Sequence, residues 1–140
     1  MVLVDSSVWI DLLRNQPTPQ TTALRKLLED NGAALAPVVY QEILQGAASA
    51  ERLVKLREYF STLPFLLPTH PIKTYEKAAA LYAHCRFRGY TPRSPHDCLV
   101  ASIAIEHSVR LLHDDRDFDT LALIEPKLKL FAATKKQPKK

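Results

Sequence analysis

The sequence contains few cysteines and no long hydrophobic run, and most of its excess charge lies at its end. Two of its 140 residues are cysteines, Cys85 and Cys98. That is too few for a disulfide framework and fits a reducing compartment. The longest apolar runs, at 33–39 and 65–67, fall far short of the ~20 residues that span a bilayer. The opening MVLVD has no basic segment, so we expect no signal peptide, no membrane association and a cytoplasmic location.

The net charge of +4 comes from the last residues of the chain. Four lysines stand there, Lys135, Lys136, Lys139 and Lys140, while the other 15 lysines and arginines equal the 15 acids in number. The body is therefore neutral, and the high positive charge does not by itself indicate a nucleic-acid surface. We expect one domain over 1–133 and a disordered basic tail over 134–140. The tail is either a passive solubilising segment or a loose contact for an RNA backbone.

Short apolar segments alternate with segments of helical spacing. Strands are predicted at 2–4, 33–36, 109–112 and 128–131, with a weaker candidate at 63–67. Helices are predicted from Ser6 or Ser7 to Arg14, around 24–28 with Gly32 as C-cap, at 37–45, 53–60, 72–89, from Ser94 past Ala104, and at 117–123. This alternation predicts an α/β fold, a three-layer α/β/α sandwich with a mostly parallel, Rossmann-like central sheet.

Acidic residues stand where that fold brings distant segments together. They follow predicted strands or lie early in predicted helices: Asp5, Glu42, Asp97, Asp114, Asp115 and Asp117. The carboxyl ends of parallel strands share one edge with the following helix N-termini. We therefore expect these acids to gather there, although each alone has an ordinary role as a helix cap or a solvated acid.

Gathering carboxylates is unfavourable without a counter-charge. Two like charges ~4 Å apart repel by about 4 kcal/mol at an effective dielectric of 20. A helix N-terminus returns only ~0.3–1 kcal/mol. No lysine or histidine stands at a spacing that obviously neutralises Asp5, Glu42 or Asp97. A hard cation such as Mg²⁺ or Mn²⁺ resolves the repulsion, whereas zinc is disfavoured because no Cys/His ligand set stands at its usual spacings.

Four segments in this order carry a family resemblance: VDSSVWIDLLR, PxxxQEILQG, SPHDCLVASIAIEH and LLHDDRDFDTLA. Together they resemble the PIN-domain ribonucleases, and most of all the VapC toxins of bacterial toxin–antitoxin pairs. The resemblance covers residues 2–131 and implies a PIN-like fold and Mg²⁺- or Mn²⁺-dependent cleavage of single-stranded RNA. It also implies a homodimer and a small VapB-like antitoxin whose C-terminal segment enters the active-site groove.

The resemblance assigns the family's acidic quartet to Asp5, Glu42, Asp97 and Asp115, with Asp117 as an auxiliary acid. We expect Asp5 and Asp97 to bind the metal, and Asp115 to bind it directly or through water. Glu42 completes the ring and orients the attacking water, which lies in line with the scissile bond and leaves a 5′-phosphate and a 3′-hydroxyl. That chemistry needs no 2′-hydroxyl, so it does not exclude DNA.

Further residues have supporting roles in this interpretation. His113 stands where many relatives carry Thr or Ser, and it either orients a metal-bound water or phosphate or hydrogen-bonds an acid. Ser6 either caps the first helix or hydrogen-bonds a metal ligand. Arg86, Arg88 and Arg93 either hold RNA phosphates, with Tyr90 stacking a base, or form a solvated helix end.

Other classes of protein with acids at strand ends fit the sequence less well. A receiver domain needs an acidic pair after the first strand, where Ser6 and Ser7 stand, and an aspartate after the third, where Pro68 stands. A haloacid-dehalogenase-type phosphatase needs a second aspartate at Ser7. The alternative that keeps the fold is a non-catalytic PIN-like module that binds RNA or protein.

Overall fold

The computed structural model describes residues 1–133, and in them three short parallel strands form the sheet. They are β1 (Val2–Val4), β2 (Ala33–Ala34) and β3 (Arg110–Leu112), in the order β2-β1-β3. Val2 pairs with Ala33 on one side and with Arg110 on the other. The strands are short apolar runs, and β1 and β2 are buried throughout, as is usual for a parallel sheet covered by helices. The tail predicted for 134–140 lies outside the described residues.

Two of the predicted strands are much shorter than expected. The 63–67 candidate contributes one parallel bridge, Phe65 to Leu35, and the 128–131 segment contributes one, Leu130 to Leu111. Pro64 and Pro68 flank the first bridge, and because proline lacks an N–H, the ladder cannot extend along that segment. β3 itself is only three residues long, which leaves little edge for the second segment to pair with.

Helices surround the sheet in the order that the sequence predicts, which confirms the α/β architecture. They are α1 (Ser6–Leu13), α2 (Pro19–Glu29), α3 (Pro37–Leu44), α4 (Ala50–Phe60), α5 (Pro71–Phe87), α6 (Pro95–Glu106) and α7 (Arg116–Ile124). Two predicted caps are wrong. Asp5, and neither Ser6 nor Ser7, caps α1, and the left-handed residue after α2 is Asn31, with φ 57°, instead of Gly32.

The core forms around α6, whose residues 98–104 are buried without interruption. Trp9 of α1 is fully buried and packs edge-on against Phe60 of α4, with ring centroids 5.0 Å apart. Trp9 is therefore a core residue of the domain. No helix in residues 1–133 has the length and apolar content needed to cross a membrane.

The buried face of α5 differs from the predicted one. The sequence pattern favours a stripe that includes Ile72 and Tyr75, but these side chains are exposed. Helix α5 packs on α6 through Thr74, Ala78, Leu81 and Cys85 instead. Both sets have helical spacing and both contain apolar groups, so periodicity alone cannot choose between them.

The sheet brings the ends of β1 and β3 together. The Asp5 N–H, directly after β1, donates to the carbonyl of Leu112, the last residue of β3, at 2.9 Å. Residues that follow these two strands therefore emerge side by side, as the parallel topology predicts.

Candidate active site

Asp5 is the most buried acid at this edge, with 5% of its surface exposed. As the N-cap of α1 it accepts two hydrogen bonds on Oδ2, from the Ser7 N–H at 3.1 Å and the Ser7 hydroxyl at 2.7 Å. Burial raises the pKa of Asp5, the Ser7 hydrogen bonds oppose that rise, and the nearby Glu42 charge adds to it. The expected contact between Ser6 and an acid is thus made by the Ser7 hydroxyl, because an N-cap oxygen reaches the second or third helical residue and Ser6 is the first.

Asp97 lies at the third position of α6, whose N-cap Ser94 accepts the His96 N–H at 3.1 Å. The pKa of Asp97 is raised to about 7, most of all by burial and then by the charges of Asp5, Asp115, Asp117 and Glu42, in that order. No hydrogen bond from residues 1–133 is among the influences on this carboxyl group. Asp97 is therefore the acid of the site with the least compensated charge.

Asp115 and Asp117 begin α7, directly after β3. Asp115 is the N-cap, and its Oδ1 accepts the Asp117 N–H at 2.9 Å. One carboxylate oxygen from each of Asp97, Asp115 and Asp117 lies within 4.8 Å of the others. The structure thus brings together two acids of the predicted quartet and the auxiliary acid. Asp5 lies close enough to Asp97 to be the strongest like charge on it.

A pair of side chains from the loop before α6 holds Asp117 in place. Tyr90 donates its hydroxyl to Asp117 Oδ1 at 2.6 Å, and Arg93 donates to Oδ2 through its backbone N–H at 3.2 Å and its Nε at 3.1 Å. Burial raises the pKa of Asp117, but the hydrogen bonds from Tyr90 and Arg93 outweigh it and hold that pKa below its ordinary value. Burial and Asp117 in turn raise the pKa of Tyr90 to about 12.

Glu42 reaches the site from α3. Its Oε2 lies 3.3 Å from Nδ1 of His96, the residue before Asp97. The sequence assigned no role to His96, because 54 residues separate it from Glu42 and only the fold brings them together. Glu42 also contributes to the raised pKa values of Asp5 and Asp97, so its carboxylate belongs to the same electrostatic cluster.

His113 directly follows β3, and its ring binds the backbone of the next loop and not a carboxylate of the quartet. Its Nδ1 accepts the Asp115 N–H at 3.0 Å, and its Nε2 lies 3.3 Å from Asp119 Oδ1. Because Nδ1 accepts, the proton of the neutral ring is on Nε2 and faces Asp119. The ring also packs on Phe118, with centroids 5.2 Å apart. His113 therefore orients the backbone that presents Asp115.

The three predicted phosphate-binding arginines lie in different environments. Arg86 is in the last turn of α5 and Arg88 is its C-cap, and both are exposed. Arg93 contacts the acids directly, since its Nη2 lies 2.6 Å from Asp115 Oδ1 and its side chain remains 74% exposed. Sequence reasoning missed this contact, because Arg93 and Asp115 are 22 residues apart.

The donor set suits a hard divalent cation. The close ligand atoms are all carboxylate oxygens, which Mg²⁺ and Mn²⁺ prefer, and within residues 1–133 no hydrogen bond to the Asp97 carboxylate offsets its charge. Both cysteines are buried free thiols and offer no zinc site with these acids. Asp97, Asp115 and Asp117 are the acids whose oxygens lie close enough together to share an ion. Asp5 and Glu42 are near enough for their charges to raise the pKa of Asp97, but they are not part of this close group.

A parallel α/β fold with acids gathered where β1 and β3 end is the architecture of the PIN domain. The PIN domain family model matches residues 2–123, and the chain belongs to this family.

Named relatives are similar to this chain over nearly its whole length. The chain is 35% identical over 126 residues to VapC ribonuclease Mb1587 of Mycobacterium bovis. The aligned residues cover 89% of this chain and 93% of that protein. It is 29% identical over 116 residues to Ribonuclease VapC32 of Mycobacterium tuberculosis, with 83% of the chain and 86% of the relative covered.

Solved structures share the fold at lower identity. The DNA-bound VapBC structure from Salmonella typhimurium matches with a TM-score of 0.73 and 18% identity, over 95% of this chain and 98% of that one. VapBC2 from Rickettsia felis, bound to a DNA fragment from its promoter, matches with a TM-score of 0.71 and 20% identity, over 94% and 98%. The predicted PIN-like fold is therefore confirmed.

Proposed function

We propose that this chain is a divalent-metal-dependent endoribonuclease that cleaves single-stranded RNA and acts as the toxin of a VapBC-type pair. The observation that supports this most directly is the group of carboxylates gathered around Asp97, which raise the pKa of that acid, within a chain of the PIN-domain family. The relatives similar to it are named as ribonucleases. A non-catalytic module has no need for a partly buried acid beside four others, an arrangement that raises the pKa of Asp97 to about 7 through burial first and repulsion second.

In this proposal Asp5, Asp97 and Asp115 hold the ion, which is Mg²⁺ or Mn²⁺. When bound, the ion supplies a water of lowered pKa and neutralises charge that develops on the phosphate. Glu42 accepts a proton from the attacking water and orients it, and His96 holds the Glu42 carboxylate from 3.3 Å away. Asp117 fixes Tyr90 and Arg93 beside the group and does not act on the reacting atoms.

The chain's remaining groups position the acids. The Ser7 hydroxyl fixes Asp5, and the His113 ring fixes the backbone of Asp115. In-line attack on the phosphodiester leaves a 5′-phosphate and a 3′-hydroxyl. Arg93 lies against the acids and is exposed, so it can meet a substrate phosphate. Arg86 and Arg88 extend the basic surface along the end of α5.

The partners in the proposal are an antitoxin and a second copy of the chain. The Salmonella typhimurium and Rickettsia felis structures with this fold are VapBC complexes, which supports a VapB-like antitoxin as the partner. We propose a homodimer, a nuclease domain over 1–133 and a cytoplasmic location. The free thiols Cys85 and Cys98 are consistent with that compartment.

The test is the substitution Asp5→Asn, with cleavage of a labelled single-stranded RNA measured in Mg²⁺ or Mn²⁺. Asparagine is as good a helix N-cap as aspartate, so the fold should persist. We expect cleavage to fall by at least ~100-fold, as it should for the wild type in EDTA, while RNA binding remains. Asp11→Asn, on the same helix, is the matched control and should cleave at the wild-type rate. Wild-type protein that binds RNA but does not cleave it in either ion would support the binding module instead.

A further inference from the structure

Arg93 already fills part of the space that the proposal gives to a cation. Its guanidinium spans two acids of the site, with Nη2 2.6 Å from Asp115 Oδ1 and Nε 3.1 Å from Asp117 Oδ2. It stands one residue before the Ser94 cap of α6, so the same short segment carries Arg93 and leads into Asp97. The side chain is 74% exposed, and it approaches the acids from the open side of the site.

The two ends of this guanidinium are held differently. Both oxygens of Asp117 accept hydrogen bonds: Tyr90 donates to Oδ1, and the Arg93 backbone N–H and Nε donate to Oδ2. The Nε end of Arg93 is therefore anchored on Asp117, which is only 9% exposed. The backbone N–H of Arg93 binds the same carboxylate oxygen. Within residues 1–133 the Nη2 end contacts only Asp115, whose side chain is 24% exposed. The Asp115 contact can be given up without disturbing the anchor on Asp117.

Asp115 is also one of the acids that bind the ion in the proposed function, together with Asp97. A metal ion bound to a carboxylate and a guanidinium in contact with the same carboxylate compete for it, because the two cations repel each other. A planar guanidinium binds carboxylate and phosphate with the same fork of N–H donors, so an Nη group released from Asp115 can accept a phosphate partner without leaving Asp117.

We propose that Arg93 is an internal counter-cation of the site: it competes with the divalent ion for Asp115 and, once displaced from Asp115 but still anchored on Asp117, binds the phosphate of the RNA. This inference rests on the proposed metal-dependent nuclease function. It makes Arg93 a link between metal loading and substrate binding and separates it from Arg86 and Arg88, whose side chains make no ion pair in the described part of the chain.

The first experiment measures binding of Mn²⁺ alone to RNA-free protein, by the electron paramagnetic resonance signal of free Mn²⁺. We expect Arg93→Gln to bind Mn²⁺ about 5- to 20-fold more tightly than the wild type, because the competing charge is gone. Arg93→Lys should lie between them, since an ammonium keeps the charge but cannot span both acids. Arg57→Gln removes an equal charge from an exposed position on α4 and should bind Mn²⁺ within about 2-fold of the wild type.

Asp97→Asn separates failure of the inference from failure of the proposed function. Wild-type binding that is lost in Asp97→Asn establishes the metal site, and an Arg93→Gln affinity that is then unchanged or weaker overturns the inference alone. Wild-type protein that binds no Mn²⁺ overturns both. Far-UV circular dichroism shows whether Arg93→Gln remains folded. The Arg93→Lys variant shows the effect of a substitution at this position that keeps the charge.

The second experiment measures RNA cleavage at saturating Mn²⁺. Loss of a phosphate contact should raise the KM of Arg93→Gln for RNA by at least about 5-fold and should change kcat less. A merely structural role predicts no such split. An unchanged KM, with tighter Mn²⁺ binding, would overturn the substrate-binding half of the proposal and leave Arg93 as a competitor of the ion only.

Discussion

A single hydroxyl joins the ends of the two strands that present the acids. The Ser7 Oγ donates to Asp5 Oδ2 at 2.7 Å and accepts the Asp114 N–H at 3.2 Å, across 107 residues of sequence. It therefore fixes the carboxylate at the end of β1 against the loop that follows β3. The neighbouring Ser6, the first residue of α1, acts on the Asp5 carboxylate only through its backbone, and more weakly than Ser7.

We expect Ser7→Ala to weaken both the fold and the site. Loss of the two hydrogen bonds should lower the free energy of unfolding by about 1–2 kcal/mol. Release of the Asp5 carboxylate should weaken Mn²⁺ binding by about 10-fold, as for other residues that orient metal ligands. Urea unfolding and Mn²⁺ titration measure the two effects. Ser6→Ala is the matched control, and an equal loss of Mn²⁺ affinity in that variant would contradict the assignment to Ser7.

The sequence locates the acids well at the residue scale but not their contacts. Asp5, Glu42, Asp97 and Asp115 each follow from a position relative to a strand or a helix start, because local patterns fix those positions. The Arg93–Asp115, Tyr90–Asp117 and Glu42–His96 contacts join segments that are far apart in sequence. Side-chain reach and loop path decide such pairs, and a single sequence contains neither.

Among the elements, the junction between β3 and α7 controls how the site is presented. His113 follows β3, Asp115 caps α7, and the ring Nδ1 closes a short turn onto the Asp115 N–H at 3.0 Å. A serine hydroxyl can form the same local bond to the N–H two residues on. The element therefore depends on an acceptor at position 113 more than on an imidazole.

This dependence predicts an order among variants at position 113. His113→Ala should lose about 1–2 kcal/mol of unfolding free energy and about 3- to 10-fold in cleavage rate, since the Asp115 backbone loses its acceptor. His113→Ser should recover most of the cleavage rate but not all of the stability, because the packing on Phe118 is still lost. The measurements are urea unfolding and cleavage at saturating Mn²⁺. Equal cleavage rates for the alanine and serine variants would show that the turn does not control the site.

Elements with one consistent local signal are predicted better than elements with two. Helix α6 has a Ser-Pro start and an unbroken apolar stretch, and its bounds follow from the sequence. Helix α5 has two faces of similar hydrophobicity, and the exposed Ile72 and Tyr75 show that packing against α6 chooses the other face. The segments around Phe65 and Leu130 form single bridges because strand length depends on the available partner edge.

For the molecule as a whole, the site makes the metal-free fold less stable at neutral pH than in mild acid. Asp97 has a pKa of about 7 in the folded chain against an ordinary value of 3.8, because burial and four neighbouring acids disfavour its charge. Below pH ~3 the carboxyl is protonated in both the folded and unfolded states, and it contributes no difference. As the pH rises from ~3 to ~7, the unfolded state ionises first, so folding loses stability, by up to ~4 kcal/mol above pH 7.

Asp97→Asn should therefore stabilise the metal-free protein in a pH-dependent way. Urea unfolding in EDTA, followed by the fluorescence of the buried Trp9, should give stabilities for wild type and variant that differ by only about 1 kcal/mol at pH 4.5. At pH 8 the variant should be more stable by about 2–4 kcal/mol, because it cannot ionise beside Asp5 and Asp115. Asp114→Asn removes an exposed acid from the same loop and should follow the wild-type curve. Saturating Mn²⁺ should reverse the order at pH 8, since only the wild type then gains binding energy in the folded state. A difference in the free energy of unfolding between wild type and Asp97→Asn that does not change with pH would contradict this account. It would mean that the acids at this edge of the sheet repel one another too weakly to favour the binding of an ion.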